Sequence, residues 1–338
     1  MDIKKLVRPN ILSLKAYKAK EIPCKIKLDA NESPYGFTVL RSVRTNRYPD
    51  PEAVELRKLV ARDWKVRYEN TLHGNGSDEL IYYLIITFGG PVLYPVPTFS
   101  MYGIISQALD AEKIEVPLDM NFDLDLEKML RVIRKEKPRL IFLSSPNNPT
   151  GNAFSAEKIE KIIKASKGLV IVDEAYQDYS AKRSFLTLFK KYNNLVTLRT
   201  LSKIGLAGLR TGFMIADTDV VEEVNKVRLP FNLNSLSQKT AIESLQKKKE
   251  MSSSVRSIIS ERKRLFEGMQ KMDGIYPYPS DANFILFKAG NSDNIYNGLL
   301  KKKVLIRDMS GAVKDCLRVT VGTRVENSAF LKALGQLL

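Results

Sequence analysis

A single histidine, two cysteines and one tryptophan in 338 residues leave little material for a metal centre or for histidine-based nucleophilic catalysis. His73 stands just before a glycine turn and reads as structural. Cys24 and Cys316 lack the spacing of metal ligands and read as structural thiols, so no metal is expected. No apolar run approaches the roughly 20 residues of a membrane helix. The basic opening MDIKKLVRPNILSLKAYKAK lacks the apolar stretch of a signal peptide. Low-complexity tracts and fixed-period repeats are also missing, which argues against a solenoid or a disordered chain. The expectation is a soluble, cytoplasmic protein with no membrane partner.

Positive charge, by contrast, is plentiful: 54 Lys and Arg against 38 Asp and Glu give a net charge of +16. Such a balance raises nucleic acids or small anions as partners. The charges are nevertheless spread along the chain. The densest run, QKKKE at 246–250, belongs to an apparent helix carrying Ile242 and Leu245 and reads as a solvated face. No nucleic-acid partner is therefore expected, and small anions remain.

A hydrophobic share of 44% is ordinary for a globular chain, and the length suggests roughly two domains. Short β-branched runs bounded by turn residues predict buried strands at RLIFLSS (139–145), GLVIVD (168–173), NLVTLRT (194–200) and GFMIA (212–216). Between the first two, Ser155 is positioned to cap a helix that Gly168 would stop. This alternation predicts an α/β fold with a mainly parallel sheet. The last hundred residues change rhythm: a helix from about 252 to 272, NFILF at 283–287, a helix near 293–302, VLIR at 304–307, CLRVTV at 316–321 and a terminal helix from Asn327. That pattern predicts a smaller α+β unit. The boundaries are placed at 1–30 for an N-terminal arm, 31–235 for the large unit and 236–338 for the small one.

Four loops carry candidate chemistry. GNGSDELIYYLII (74–86) presents free N–H groups at a helix start, with Ser77 and Asp78 in the first turn, and suits an anion. SSPNNPTG (144–151) is a rigid loop at the C-terminal end of a strand, where open α/β sheets hold ligands, and it fixes Asn147 or Asn148 there. Asp173 closes the next strand, beside Glu174 and three residues before Tyr176. It either caps the following turn or faces a protonated ring nitrogen. Lys203 follows the next strand in the same way, in TLSKIGLAGLR. Three successive strands thus deliver Asn148, Asp173 and Lys203 to one sheet edge. A partly desolvated lysine beside other cations is a competent nucleophile toward an aldehyde, and Arg210 offers a guanidinium fork for a phosphate. These are the parts that pyridoxal phosphate requires.

The chain resembles the fold-type I pyridoxal-phosphate aminotransferases and, within them, the histidinol-phosphate aminotransferase family. The similarity runs through LDANESPYG (28–36), RYPDP (47–51), GNGSDE, PTFSMY (97–102), SSPNNPTG, VDEAYQDY, TLSKIGLAGLRTGF, SDANFILF (280–287) and LRVTVGT (317–323). In this order and spacing the match is highly specific and covers nearly the whole chain.

The resemblance implies that Lys203 holds pyridoxal 5'-phosphate covalently and shuttles the proton, while Asp173 keeps the pyridine nitrogen protonated. It assigns Asn148 and Tyr176 to the phenolic oxygen and Tyr102 to a stack on the ring. The backbone at Ser77 and Asp78, with Ser202 and Arg210, would bind the phosphate, with Tyr48 reaching the neighbouring subunit's phosphate in a homodimer with shared sites. Arg318 would receive the anionic end of the substrate, helped by Arg307, and Tyr17 would touch the substrate phosphate. The implied reaction is amino transfer between L-histidinol phosphate and 2-oxoglutarate, giving imidazole acetol phosphate and L-glutamate, a step of histidine biosynthesis. An aromatic or broad-specificity aminotransferase and a threonine-phosphate decarboxylase share the same cofactor site and remain open alternatives. The loop from Lys203 to Arg210 is one residue shorter than in many relatives, which puts its path in question.

Overall fold

The structure, a computed structural model, describes residues 24–28, 31, 34–35 and 48–338. Its strands, numbered along the chain, are β1 Ile26–Lys27, β2 Thr71–Asn75, β3 Val92–Val96, β4 Lys113–Pro117, β5 Leu140–Ser144, β6 Leu169–Asp173, β7 Leu195–Thr200, β8 Thr211–Ile215, β9 Ile275–Pro277, β10 Phe284–Ala289, β11 Val304–Leu305, β12 Arg307–Asp308 and β13 Cys316–Thr320. Seven of them form one sheet in the order β2-β8-β7-β6-β5-β3-β4. All neighbours in it are parallel except β8, which runs antiparallel to β2 and to β7.

Alternation along the strands explains why this sheet is covered twice. Phe142, Ile171, Val196 and Leu198 face one apolar cluster with Leu80, Ile81 and Leu84 of helix Ser77–Phe88. Their neighbours Ile141, Leu143, Val170, Val172 and Leu195 face a second, with Met129 and Ile133 of helix Leu126–Glu136 and Ile159 and Ile163 of helix Ala156–Ala165. Side chains two apart share a face, so a run of apolar residues fills both layers. Each large apolar side chain buried this way contributes about 1.5–3 kcal/mol.

The C-terminal part forms an antiparallel sheet, β12-β13-β10-β9, while β1 pairs with β11 in parallel. Helix Lys248–Gln270 packs on the four-stranded sheet through Leu265 and Met269, in one cluster with Phe287, Leu317 and Phe330. That cluster continues to Leu56 and Phe213 beside the large sheet, so one apolar layer joins the two sheets.

Several local expectations are corrected. The run 246–250 does not lie within one helix: helix Ser235–Gln246 ends, Lys247 bridges, and the next helix begins at Lys248. Ser155 precedes helix Ala156–Ala165 without capping it, because its hydroxyl donates to Asp123 at 2.6 Å. Gly168 does not stop that helix, which ends at Ala165. A Cβ at Gly168 would lie 2.3 Å from the Pro138 carbonyl oxygen, so close backbone approach is what requires glycine there. The terminal helix starts at Arg324 rather than Asn327, set by a capping box between Thr323 and Glu326.

His73 lies inside β2, fully buried, with Nε2 3.4 Å from Arg228 Nη1 and Nδ1 without a hydrogen-bond partner among the described residues. Burial, aided by Arg228 and Arg57, pushes its pKa down to about 3. An imidazole depressed in the folded state releases its proton on folding, so stability falls as pH drops from about 6.5 toward 3, by about 1.4 kcal/mol per unit. Buried Asp173, shifted upward to about 6, works in the opposite direction over part of that range. The difference between variants isolates the histidine. His73→Gln is expected to flatten the loss of stability between pH 6 and 4 by about one proton, read from denaturant midpoints at each pH.

Candidate active site

Parallel strands that start together also end together. Ser144 of β5 is in register with Asp173 of β6, and Asp173 with Leu198 of β7. The loops after these ends place Asn148, Asp173 and Lys203 around one cavity, which Tyr176, Ser77 and Arg210 also line. Of the two loop asparagines, Asn147 is buried beneath it. Its side chain donates to the Pro97 carbonyl and Thr150 and accepts from Thr98. Asn147 therefore braces the loop and Asn148 faces the cavity.

Asp173 is buried at the cavity floor. Its Oδ2 accepts from the Tyr102 hydroxyl at 2.8 Å and its Oδ1 from the Ala175 N–H at 3.1 Å. Burial dominates over these donors and pushes its pKa up to about 6. The neighbouring carboxylate is committed elsewhere: Glu174 accepts from Arg199 at 2.9 Å, from Ser184 at 2.7 Å and from the Phe185 N–H at 2.6 Å. One carboxylate of the pair is thus a structural anchor and the other faces the cavity.

The assignment of Tyr102 to a ring stack is corrected by its position. Tyr102 has no exposed surface, stacks on Phe142 at 4.9 Å and lies behind Asp173. Helix Met101–Ala108 carries it into the core, while Phe99, three residues earlier and ahead of the helix, lines the cavity. Phe99 offers the aromatic face, and Tyr102 holds the carboxylate. Both lie in PTFSMY, where the aromatic type alone does not say which ring is inward.

Lys203 sits in a 3₁₀ turn, Ser202–Ile204, and a second turn, Ala207–Leu209, returns the chain to β8. Gly205, with φ 97°, provides the left-handed step between them. The Lys203 side chain leaves the turn with Nζ 5.7 Å from the centroid of the Tyr176 ring, and its carbonyl accepts from the Tyr179 hydroxyl at 2.6 Å. The short loop brings Arg210 back to within 3.4 Å of Ser202 Oγ and 3.3 Å of Asp78 Oδ2. Gly76 precedes helix Ser77–Phe88, and a Cβ there would fall 2.6 Å from Arg210 Nη2. Gly212 of β8 similarly lets the backbone at Gly76 and Ser77 approach, since its Cβ would lie 2.5 Å from both. The result is a helix N-terminus, a serine and a guanidinium converging on one end of the cavity, which is an anion cradle.

From the other sheet, Arg318 of β13 donates to the Asn148 side-chain oxygen, with its guanidinium 5.0 Å from the centroid of the Phe284 ring. Arg307 of β12 stands directly opposite Arg318, so both side chains leave the same face. Tyr48 is 81% exposed and stacks on Phe231 at 4.6 Å, away from its own chain's cavity. Tyr17 lies outside the described residues.

The site thus combines a lysine, a buried carboxylate and an anion cradle at the C-terminal edge of a seven-stranded sheet, and the chain that carries it matches known proteins over nearly its whole length. The sequence pattern of aminotransferase class I and II covers residues 13–334, and the chain belongs to that family. It is 44% identical to the histidinol-phosphate aminotransferase of Aquifex aeolicus over 346 residues, covering 97% of each chain. It is also 44% identical to histidinol-phosphate aminotransferase 2 of Nitrosococcus oceani, covering 97% of this chain and 96% of that one. Its fold aligns with the solved histidinol-phosphate aminotransferase of Sinorhizobium meliloti in complex with pyridoxal-5'-phosphate, at a TM-score of 0.87, 23% identity and 98% and 97% coverage. The protein is thus an aminotransferase of fold type I. Among the described residues no helix is long and apolar enough to cross a membrane.

Proposed function

We propose that the protein transfers an amino group between L-histidinol phosphate and 2-oxoglutarate, using pyridoxal phosphate, in histidine biosynthesis. The observation that carries this reading is the single cavity shared by Lys203, Asp173, Asn148 and Arg210, with Arg318 reaching Asn148 from the small sheet. The residues suit the cofactor. A buried carboxylate whose pKa burial has raised gains from a cationic neighbour such as a protonated ring nitrogen. The cradle of helix start, Ser202 and Arg210 suits a phosphate dianion, and the absence of a Cβ at Gly76 leaves room for the guanidinium. Relatives of the same name at 44% identity support the substrate assignment.

Pyridoxal phosphate supplies an aldehyde that captures the substrate amine and a conjugated ring that accepts electrons released at the α-carbon. The chain's residues provide the rest. Lys203 Nζ would anchor the cofactor and would hold or move the proton at the substrate α-carbon. Asp173, held by Tyr102 and the Ala175 N–H, would keep the ring nitrogen protonated. Asn148 and Tyr176 would hold the phenolic oxygen, Phe99 would cover the ring, and the backbone at Ser77 and Asp78, with Ser202 and Arg210, would bind the phosphate. The guanidinium fork of Arg318, helped by Arg307, would serve the carboxylate of glutamate in one half-reaction and the phosphate of histidinol phosphate in the other.

Specificity is tested by single-turnover titration of the loaded enzyme with histidinol phosphate, threonine phosphate and aromatic amino acids. Conversion to the pyridoxamine form with histidinol phosphate and no carbon dioxide release is expected. Carbon dioxide release from threonine phosphate would assign a decarboxylase instead, and preferred turnover of aromatic amino acids a broad-specificity enzyme.

The division at residue 235 into a cofactor-binding and a substrate-closing domain, and a cytoplasmic homodimer with shared sites, belong to the same proposal. Tyr48 and Phe231, stacked on each other and exposed, with Leu229 and Leu236 also exposed in the same segment as Phe231, are apolar side chains of the kind that a partner covers. From the other subunit, Tyr48 would reach the phosphate. Phe231→Asp is expected to convert a dimer to monomer in sedimentation velocity and to lower turnover with it. A monomeric unmodified protein with full turnover would rule out shared sites.

A further inference from the structure

The phenolic hydroxyl of Tyr176 is approached by a residue that the catalytic scheme does not use. Asn31 is buried, with a left-handed φ of 54°, and its Nδ2 donates to Tyr176 Oη at 3.2 Å. The direction of that bond follows from the far end of the amide. The Asn31 N–H donates to Thr320 Oγ1 at 3.0 Å, and the Thr320 hydroxyl, with its one proton, donates to Asn31 Oδ1 at 3.0 Å. The oxygen of the amide therefore faces Thr320 and the nitrogen faces Tyr176. Asn283 clamps the same residue by donating its Nδ2 to the Asn31 carbonyl at 3.0 Å. A tyrosine hydroxyl that accepts from Asn31 keeps its single proton for a different partner, and Tyr176 lines the cavity.

We infer that Asn31 is a positioning residue that makes Tyr176 an obligatory hydrogen-bond donor into the cavity, oriented through Thr320 by the strand that carries Arg318. The link is geometric. Thr320 and Arg318 are two apart on β13 and share a face, Thr320 pairs with Phe284, and Phe284 packs edge-on against the Tyr176 ring at 5.1 Å. The strand that receives the substrate anion thereby also sets the polarity of the bond to the cofactor oxygen. This inference rests on the cofactor assignment above.

Titrating the visible absorption of the lysine-linked cofactor in the resting holoenzyme tests it. A donor to the phenolic oxygen stabilises negative charge there, so losing it makes the adjacent nitrogen hold its proton to higher pH. In Asn31→Asp the carboxylate only accepts, the Tyr176 proton turns toward it, and the midpoint is expected to rise by about half to one pH unit. Lys203, Asp173, Asp78 and Arg210 line the same cavity, Arg318 stands over Phe284, and Arg262 donates to the Tyr179 and Ala282 carbonyls nearby. The added charge alone therefore acts on the same titration. The control is Asn31→Asp in a Tyr176→Phe background, where only the smaller charge effect is expected. Thr320→Val, which releases the amide without adding charge, is expected to raise the midpoint less and in the same direction.

Equal shifts in the Tyr176 and Tyr176→Phe backgrounds, or no shift in either, overturn the inference while leaving the cofactor assignment intact. Absence of the visible band in the unmodified protein supplied with pyridoxal phosphate overturns both.

Discussion

Lys203→Ala is expected to lose the visible band of lysine-bound pyridoxal phosphate and to slow transamination by at least about 10⁴-fold. Positioned proton transfer contributes about 10²–10⁴ on its own, and loss of the covalent anchor adds to it. Among the described residues no other amine lines the cavity: Arg210 is engaged with Ser202 and Asp78, and Arg318 donates to Asn148. Folding should survive, because the structural bond at this position, from the Tyr179 hydroxyl, goes to the Lys203 backbone carbonyl. The loss should therefore come with an unchanged melting profile of the cofactor-free protein. Small primary amines added to the variant should restore part of the proton-transfer rate, since truncation opens space beside Tyr176. Near-normal turnover in this variant would remove Lys203 from the chemistry.

Asp173→Asn carries the second large effect. The substitution keeps the size and the hydrogen bond with Tyr102 but removes the charge opposite the ring nitrogen. Breaking one side of a buried ion pair costs about 3–5 kcal/mol, which corresponds to about 10²–10⁴ in rate if the contact matters in the transition state. Burial sharpens the contrast, because little water is present to replace the carboxylate. The cofactor itself should still bind, as the phosphate cradle is untouched and lies at the other end of the cavity. A spectroscopically loaded variant with greatly reduced turnover is the expected result. An Asp173→Asn enzyme within a few-fold of the original rate would mean that the carboxylate only supports the loop through Tyr102 and the Ala175 N–H.

Both predictions depend on residues that stand out in the sequence, and the reason is geometric. Parallel strands end at one edge, so a polar residue at the end of each of RLIFLSS, GLVIVD and NLVTLRT, or within three residues after it, is delivered to the same place without knowledge of the intervening helices. Asn148, Asp173 and Lys203 were legible for that reason. The anion cradle was legible as well, because glycine, serine and a following apolar helix describe a helix start.

Where the sequence underdetermined the site, packing made the choice. PTFSMY holds two aromatic rings three residues apart, and only the helix start at Met101 turns Tyr102 into the core and leaves Phe99 on the cavity wall. VDEAYQDY holds two adjacent carboxylates, and Arg199 and Ser184 draw Glu174 away while Asp173 stays. Asn31 lies 145 residues from Tyr176 and 289 from Thr320, and no local pattern announces either contact.

The sequence by itself determined the alternating layers, the edge at which chemistry gathers and the residue types available there, because strand period, turn chemistry and helix starts are local properties. Tertiary structure alone decided which neighbour of a pair faces the cavity, how the short loop returns Arg210 to Ser202, and how the strand bearing Arg318 reaches Tyr176 through Asn31. Those outcomes depend on contacts between distant segments, whose free energy is settled only when the two sheets pack against each other.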